Sequence, residues 1–327
     1  YLPDRFFNDA IVIAEDLYNE KGFWRSYPVT MLFYEVTGLN RLSFSLVALI
    51  QLPLLLWVLY KLGVPKRFAK VSVRNLLAYS LLLMLAFFVS MPSKEFITFL
   101  FIAWIPWLLL KKKLRLKYTL LLIFSGLLFF GIWYRPYYVL IPIIAGVIYL
   151  TSLINFKRKV LTGIFSGLLV VIFLSLSYGV VKGEFLSQST REALNEERLG
   201  EEATNSAIRS PLKTDTWYGE TFGVLYGFVS VNVPLNGLKH VLQPQIIAFV
   251  FWQLALSVYL LFLFKNCLAK RKDYRYELWG FYLVFAYFII QGVFEPDLGS
   301  AVKHKIGILP LIYFVLYYDS LRKNIPV

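Results

Sequence analysis

The sequence predicts an all-α, polytopic membrane protein, and three observations carry that prediction. Hydrophobic residues make up 58% of the 327-residue chain, above the roughly 45–50% of soluble globular domains. They gather into nine runs of near-spanning length. Between those runs, the basic residues fall in compact clusters at alternate connections.

The runs lie near 42–60, 74–90, 96–110, 118–133, 137–153, 160–181, 246–264, 278–293 and 306–320. A spanning helix needs about 20 apolar residues, or about 17 at the short end. Several runs sit at that short end. The pairs that meet at 90–96 and 133–137 therefore read as tight hairpins, or one member of each as re-entrant.

Sidedness follows from charge. KLGVPKRFAKVSVR, KKKLRLK, FKRK, KNCLAKRKDYR and LRKN hold 20 of the 34 Lys and Arg, and the side they mark holds only 3 of the 20 Asp and Glu. Lys and Arg mark the cytoplasmic side. That side then carries +17 and the other −3, which together make the overall +14. The excess charge is a sidedness signal and excludes a nucleic-acid footprint. The same rule puts the C-terminus inside and residues 1–41 outside. An outer segment that opens on YLPDRFF is expected to follow an earlier, signal-anchor-like span. The full protein would then have ten spans with both ends cytoplasmic.

The chain reads as one membrane domain, 1–327, without repeats. Its outer side holds an external segment at 1–41 with a surface helix, two hairpin mouths, a large loop at 182–245 and a short loop at 294–305. The large loop begins with an acidic, helix-like SQSTREALNEERLGEEATNSAIRS. It continues into WYGETFGVLYGFVSVNVPLNGLKH, whose glycines and polar residues suit an interfacial or re-entrant helix. A single cysteine, Cys267, excludes an internal disulfide. Two histidines, His240 and His304, without HExxH or CxxC give no transition-metal site. The outer acids would suit a divalent metal, but no ligand spacing indicates one.

The candidate chemistry lies on the outer side. SMPSKEF places Lys94 and Glu95 at a hairpin mouth. GIWYRPYY places Arg135 between Tyr134 and Pro136. EPDLGSAVKHKIG places Glu295, Asp297, Lys303, His304 and Lys305 in the last outer connection, where a basic cluster runs against the positive-inside rule. Taken singly, each has a structural alternative: snorkelling for Lys94 and Glu95, an aromatic-belt anchor for Arg135, a juxtamembrane cluster for the last three. Taken together, converging Arg, Lys and His suit a phosphate group, and nearby carboxylates supply bases. Upstream, Ala10, Ile13, Ala14, Leu17 and Tyr18 recur near helical spacing. Asn8 or Asp9 would cap that helix. Gln51, Gln253 and Gln291 are scattered polar groups within the spans.

FNDAIVIAEDLYNEKGFWRSYP resembles the first outer loop of the GT-C-like membrane glycosyltransferases, with an acidic residue followed by a surface helix and a Tyr-Pro-like element. Asp9 matches the acidic position, with Asp4, Glu15 and Asp16 as lesser candidates. PSKE at 92–95, Tyr-Arg-Pro at 134–136 and GSAVKHKIGILPLIY resemble the bacterial Wzy-type polysaccharide polymerases, including their EpsG-like branch. In the last of these, Gly299, Ser300, Lys303, His304 and Lys305 fill the small-residue-then-basic element. The resemblance covers most of the chain as architecture but only some 30 residues as motif. The long Arg-rich loop of the O-antigen ligase branch is not found.

The resemblance implies an enzyme of the bacterial inner membrane that faces the periplasm or cell exterior. It would polymerise undecaprenyl-pyrophosphate-linked oligosaccharide repeat units into O-antigen, capsule or exopolysaccharide. It implies membrane lipids and a chain-length regulator as partners, and no required cofactor. Asp9 is the first candidate base, Glu95 the second, and Glu220, in WYGETFG, the third. Lys94, Arg135, Lys303, His304 and Lys305 are candidates for the pyrophosphate. Trp24, Tyr27, Trp133, Tyr134, Tyr137, Trp217 and Tyr218 would stack on sugars, with the aromatic belt as their alternative. Two other functions fit the same features: transfer of a single sugar from a polyprenyl monophosphate, and transport of a lipid-linked glycan.

Overall fold

Three helices start where a serine or threonine accepts from a first-turn amide. Ser72 Oγ accepts from Asn75 N (3.2 Å), Ser93 Oγ from Phe96 N (3.3 Å) and Thr216 Oγ1 from Gly219 N (3.2 Å). The structure is a computed structural model that describes residues 7–17, 19–197 and 206–321.

Among these residues the regular structure is helical, with no strand beyond one bridge, Ala207 to Asp297. In chain order the helices are α1 (Asn8–Glu15), α2 (Ser26–Val36), α3 (Phe44–Leu62), α4 (Val73–Phe88), α5 (Lys94–Lys111), α6 (Leu116–Trp133), α7 (Leu140–Leu153) and α8 (Lys159–Lys182). They continue with α9 (Ala193–Glu197), α10 (Trp217–Asn232), α11 (Pro244–Ala269), α12 (Arg275–Phe294), α13 (Leu298–Gly307), α14 (Leu309–Leu316) and α15 (Tyr318–Leu321).

Among the described residues six helical stretches are long and apolar enough to cross a membrane: 44–62, 116–133, 136–153, 159–182, 246–269 and 275–294. Their outward faces carry large apolar side chains such as Leu49, Trp57, Phe129, Ile132, Phe173 and Phe262, as a lipid-facing surface requires. The expected run at 306–320 is broken. α13 and α14 meet at a 74° bend and together would make a seventh span. Pro310, in the first turn of α14, has no amide to continue the α13 ladder, so a new helix starts there. α4 has only 16 residues. α5 has 18 but carries Lys94, Glu95 and Lys111.

Two compact units are present, 1–139 with 303–327, and 140–302. In the first, α5 packs against α3, α14 and α2. Ile13, Tyr34 and Val47 form a small core that ties α1, α2 and α3 together. Phe130 stacks on Phe101 at 4.1 Å. At the far end, Tyr317 Oη donates to Asn75 Oδ1 (2.6 Å), and Asn75 Nδ2 donates to the carbonyls of Arg67, Phe68 and Lys70. The basic loop after α3 is thereby held by the Asn75 amide, with Tyr79 Oη donating to the Phe68 carbonyl beside it.

In the second unit α12 is the central element, with 94% of its spanning window buried, packed by α7, α8, α10 and α11. The glycine-rich sequence of α10 now has a reason. Gly227 and α12's Gly292 let two backbones approach so closely that a Cβ at Gly227 would strike the Gly292 carbonyl and the Arg191 guanidinium, while Gly223 leaves room for Thr214 and Arg191. Arg191, fully buried in a π-turn (Gln188–Glu192), donates to the carbonyls of Gly223 (3.1 Å) and Gly292 (3.0 Å). Burial lowers its pKa below the usual guanidinium value. Within the stretch expected to be an interfacial or re-entrant helix, Trp217–Asn232 form a regular helix with one face packed in this unit.

Candidate active site

The site is assembled in the first unit from four segments: α1, the first turn of α5, the turn after α6, and the second half of α13. Each is fixed by local bonds. Tyr34 Oη accepts from Ser93 N at 3.2 Å. Gln51, with its amide oxygen accepting from Tyr34 Oη (2.6 Å), turns its nitrogen to the carbonyls of Val89, Ser90 and Met91, each at 3.2 Å. These two side chains set the loop that delivers α5. Tyr134 is tied in turn, its Oη 2.7 Å from Thr30 Oγ1 and donating to the Lys94 carbonyl at 3.1 Å. After α6, Arg135 N still bonds to the Phe130 carbonyl (3.1 Å), so the turn projects the guanidinium inward.

Glu95 is the hub. It is fully buried, and three cationic or potentially cationic groups meet it. Arg135 Nη2 donates to its Oε1 at 2.6 Å. His304 Nε2 lies 3.4 Å from the same oxygen, and Lys303 Nζ lies 3.8 Å from Oε2. Among the described residues that second oxygen accepts no hydrogen bond. Arg135, 4% exposed, also donates to Tyr137 Oη at 3.1 Å. Burial opposes its charge, yet Tyr137 and Glu95 outweigh it and raise its pKa further.

Asp9 is the second anion and the more accessible one, with a third of its side chain exposed. Lys303 Nζ donates to Oδ2 at 2.5 Å, Tyr27 Oη donates to Oδ1 at 2.6 Å, and Lys94 Nζ stands 3.9 Å from Oδ2. The Lys94 ammonium lies 3.4 Å from the centre of the Tyr27 ring, a close cation–π contact. Burial alone would push the Asp9 carboxyl up. Lys94 and Lys303 outweigh it and hold it well below the usual carboxylate range. Burial, then Asp9, push the Tyr27 hydroxyl upward, so it stays a donor.

A cavity of about 190 Å³ opens beside this cluster, lined by Ser26, Lys94, Tyr134, Arg135, Pro136, Tyr137 and His304. It is smaller than the roughly 300–1,000 Å³ that encloses a drug-sized ligand. It suits a charged head group whose remainder stays outside.

The structure thus brings together Asp9, Lys94, Glu95, Arg135, Lys303 and His304, with Tyr134 and Tyr137 at the cavity wall. Snorkelling does not describe Lys94 and Glu95, because both are buried in ion pairs. Asp9 does not cap α1 and neither does Asn8: the helix starts at Asn8 behind Phe7, with no side-chain cap. The Asp9 carboxylate is turned instead to Lys303 and Tyr27, whose partnership is stronger than a cap.

Other candidates fall elsewhere. Lys305 is fully buried, away from any surface that a ligand reaches. Trp133 uses its indole N–H on the Phe23 carbonyl (2.7 Å). Tyr134 is 1% exposed and its hydroxyl is spent on Thr30 and Lys94, so it positions the site and offers little face to a sugar. In the second unit, Trp217 and Tyr218 are exposed. Glu220 is fully buried and accepts from Ser175 Oγ (2.5 Å), Ser187 N (3.2 Å) and Ser187 Oγ. Those bonds make it an internal anchor for the 185–188 turn and leave no face for an acceptor. Glu295 accepts from Gln291 (3.0 Å), and Asp297 caps α13 through Ser300 N and Oγ (both 2.8 Å). Asp4 lies outside the described residues. Among the described residues no group of three or more His, Cys, Asp and Glu is placed to hold a metal.

Sequence reasoning missed Tyr34 and Gln51 as parts of the site and named Tyr27 only as a face to stack on sugars. Tyr27 had a signal, since it is the tyrosine of the SYP element, but nothing marked its hydroxyl as a partner of Asp9. Compared with protein-family models, curated proteins and solved structures, the chain matches none.

Proposed function

We propose that the chain is a membrane glycosyltransferase that polymerises undecaprenyl-pyrophosphate-linked oligosaccharide repeat units, the activity of the Wzy-type, EpsG-like polymerases it resembles. The observation that supports this most is one cluster of four basic side chains, Lys94, Arg135, Lys303 and His304, arranged around Asp9 and Glu95 at a head-group-sized cavity. In this reading nine spans cross the bacterial inner membrane: the six long helices, α4, α5 and the bent α13–α14 pair. The positive-inside rule then turns the cluster to the periplasm or cell exterior.

The reaction forms a bond between an acceptor sugar oxygen and the donor's anomeric carbon. The bond from that carbon to the pyrophosphate oxygen breaks, and its electron pair leaves with the lipid pyrophosphate. Arg135, His304, Lys94 and Lys303 face the charge that builds there, preorganised and partly shielded from water. The acceptor's proton passes to the Asp9 carboxylate. Glu95 is too buried to touch an acceptor; it holds the cations in place. In the free protein Asp9 is a weak base, because two ammonium groups stabilise its anion. A bound pyrophosphate draws on the same ammonium groups, so burial regains weight and Asp9 becomes more basic.

The test is a reconstituted assay in liposomes with a short lipid-pyrophosphate-linked oligosaccharide. Products at integer multiples of the repeat unit are expected. One sugar added from a polyprenyl-monophosphate donor would replace this reading with single-sugar transfer. Passage of intact glycan across the bilayer without bond formation would replace it with transport.

A further inference from the structure

We infer that the second unit carries its own binding site for a phosphate ester borne on a membrane lipid. A cavity of about 220 Å³ lies there, larger than the one beside Asp9. Three basic side chains line it, Arg209, Lys239 and His240, and among the described residues no carboxylate does. None of the three is held in an ion pair among those residues. Tyr226, Ser230 and Asn236 supply neutral polar groups. Asn236 Nδ2 donates to Tyr226 Oη at 2.8 Å, which leaves the phenol hydrogen for an acceptor in the cavity.

The walls are built rather than incidental. Residues 206–208 are stitched to 296–298 by Ile208 N to Pro296 O (2.7 Å) and Leu298 N to Ser206 O (3.1 Å). Asn195 Nδ2 adds a bond to the Ile208 carbonyl at 3.1 Å. Gly237 allows the turn carrying Lys239 and His240 to sit against Val250 of α11. Among the described residues the cavity thus presents cations and donors with no carboxylate beside them, which favours a phosphate or similar oxyanion.

The rim says that the anion comes on a lipid. Leu235, Leu238, Val241 and Leu242 are all exposed, Leu242 by 92%, within eight residues that also hold Lys239 and His240. This stretch leads into α11, one of the long apolar helices. Four bare aliphatic side chains interleaved with two basic ones match a segment lying in a bilayer interface, where the tails take the leucines and the head groups meet the cations. The assignment rests on the polymerising reading in one respect only. That reaction consumes two lipid-linked chains, and this cavity holds the phosphate of one of them.

The experiment counts lipids bound to the purified full chain in detergent by native mass spectrometry. The probes are undecaprenyl phosphate, undecaprenol and inorganic phosphate. Two undecaprenyl phosphates per chain are expected, with undecaprenol and inorganic phosphate retained at least about 10-fold more weakly. Arg209→Ala with Lys239→Ala and His240→Ala should remove one of the two, weakening that binding ~30-fold or more, at about 3–5-fold per exposed cation. Arg209→Lys with Lys239→Arg should keep both, as a control for folding. Arg135→Ala should also remove one and leave the second, which separates this cavity from the site of the reaction. Retention of both lipids in the triple variant would overturn the inference, and so would undecaprenol binding as well as its phosphate. Equal binding of inorganic phosphate would overturn the lipid part of it. Loss of one lipid in the triple variant with no polymer ladder in the wild type would keep the cavity's assignment and remove the polymerising reading.

Discussion

Asp9→Asn isolates the proton-accepting step. The amide is isosteric and can still accept from Tyr27, whose Oη lies 2.6 Å from Oδ1. It cannot take a proton, and it no longer neutralises Lys303 at 2.5 Å or Lys94 at 3.9 Å. Two effects of opposite sign follow. A positioned base contributes about 10²–10⁴ in rate, so kcat should fall by about 2.7–5.4 kcal/mol of barrier. The freed ammonium groups should meanwhile hold the pyrophosphate donor more tightly, so KM should fall as well, by a few-fold because Asp9 is a third exposed and its pairs are partly screened. The assay is initial-rate polymerisation in liposomes, titrated with the lipid-linked repeat unit. A merely structural Asp9 would give lower kcat with unchanged or higher KM, together with a lower thermal midpoint. Wild-type kcat in Asp9→Asn would refute the assignment of the base outright.

Four other outcomes are expected. Glu95→Gln leaves Arg135, His304 and Lys303 without their buried anion, and thermal unfolding in detergent should show a loss of about 3–5 kcal/mol. Tyr134→Phe removes the hydroxyl that bonds Thr30 and the Lys94 carbonyl. It should cost about 1–3 kcal/mol and lower activity by less than about 10-fold, whereas a sugar-stacking tyrosine would be indifferent to losing its hydroxyl. Gly227→Ala drives a Cβ into the Gly292 carbonyl and should destabilise the second unit by at least about 1–3 kcal/mol, read as earlier proteolysis of that half. The last concerns pH. The Asp9 carboxyl is held below its ordinary value of 3.8, so its contribution to stability is complete above about pH 4 and is lost as pH falls through the lowered value. Profiles of kcat/KM, which report the free protein, should therefore lack an acidic limb above about pH 4, while the limb in kcat, which reports the loaded protein, should lie at higher pH.

The membrane character and the site's charged members were legible for physical reasons. Long apolar runs have few alternatives to a spanning or core helix. Lys303 and His304 stood out because cations on the outer side oppose the usual charge bias. Arg135 and Glu95 stood out because each is charged at the mouth of an apolar hairpin. What joins them was not legible. Glu95 and Arg135 are 40 positions apart, and Lys303 and Asp9 are 294 apart; no local pattern records such a pairing. Glu220 was misjudged for the same reason, since the serines that occupy it lie 33 and 45 positions away. The break between α13 and α14 did carry a local signal in GILP, but an apolar count reads across it. The role of Gln51 was hidden within a span, where one amide among leucines shows nothing of the carbonyls it meets.

The pairing of Asp9 with Lys303 has a consequence for what can enter the site. Asp9 is a ligand the protein already owns, tethered at a far higher local concentration than any dissolved ion reaches. Any anion that enters must displace it. A singly anchored ion such as free phosphate competes for one ammonium and is readily pushed back. A diphosphate offers oxygens to Lys94, Arg135 and His304 at once, and giving up Asp9 from Lys303 is then one exchange among several. In the proposed reaction this internal carboxylate would act as a threshold that rejects free anions held by one ammonium and admits those with a second anchor, either a second phosphate or a lipid tail.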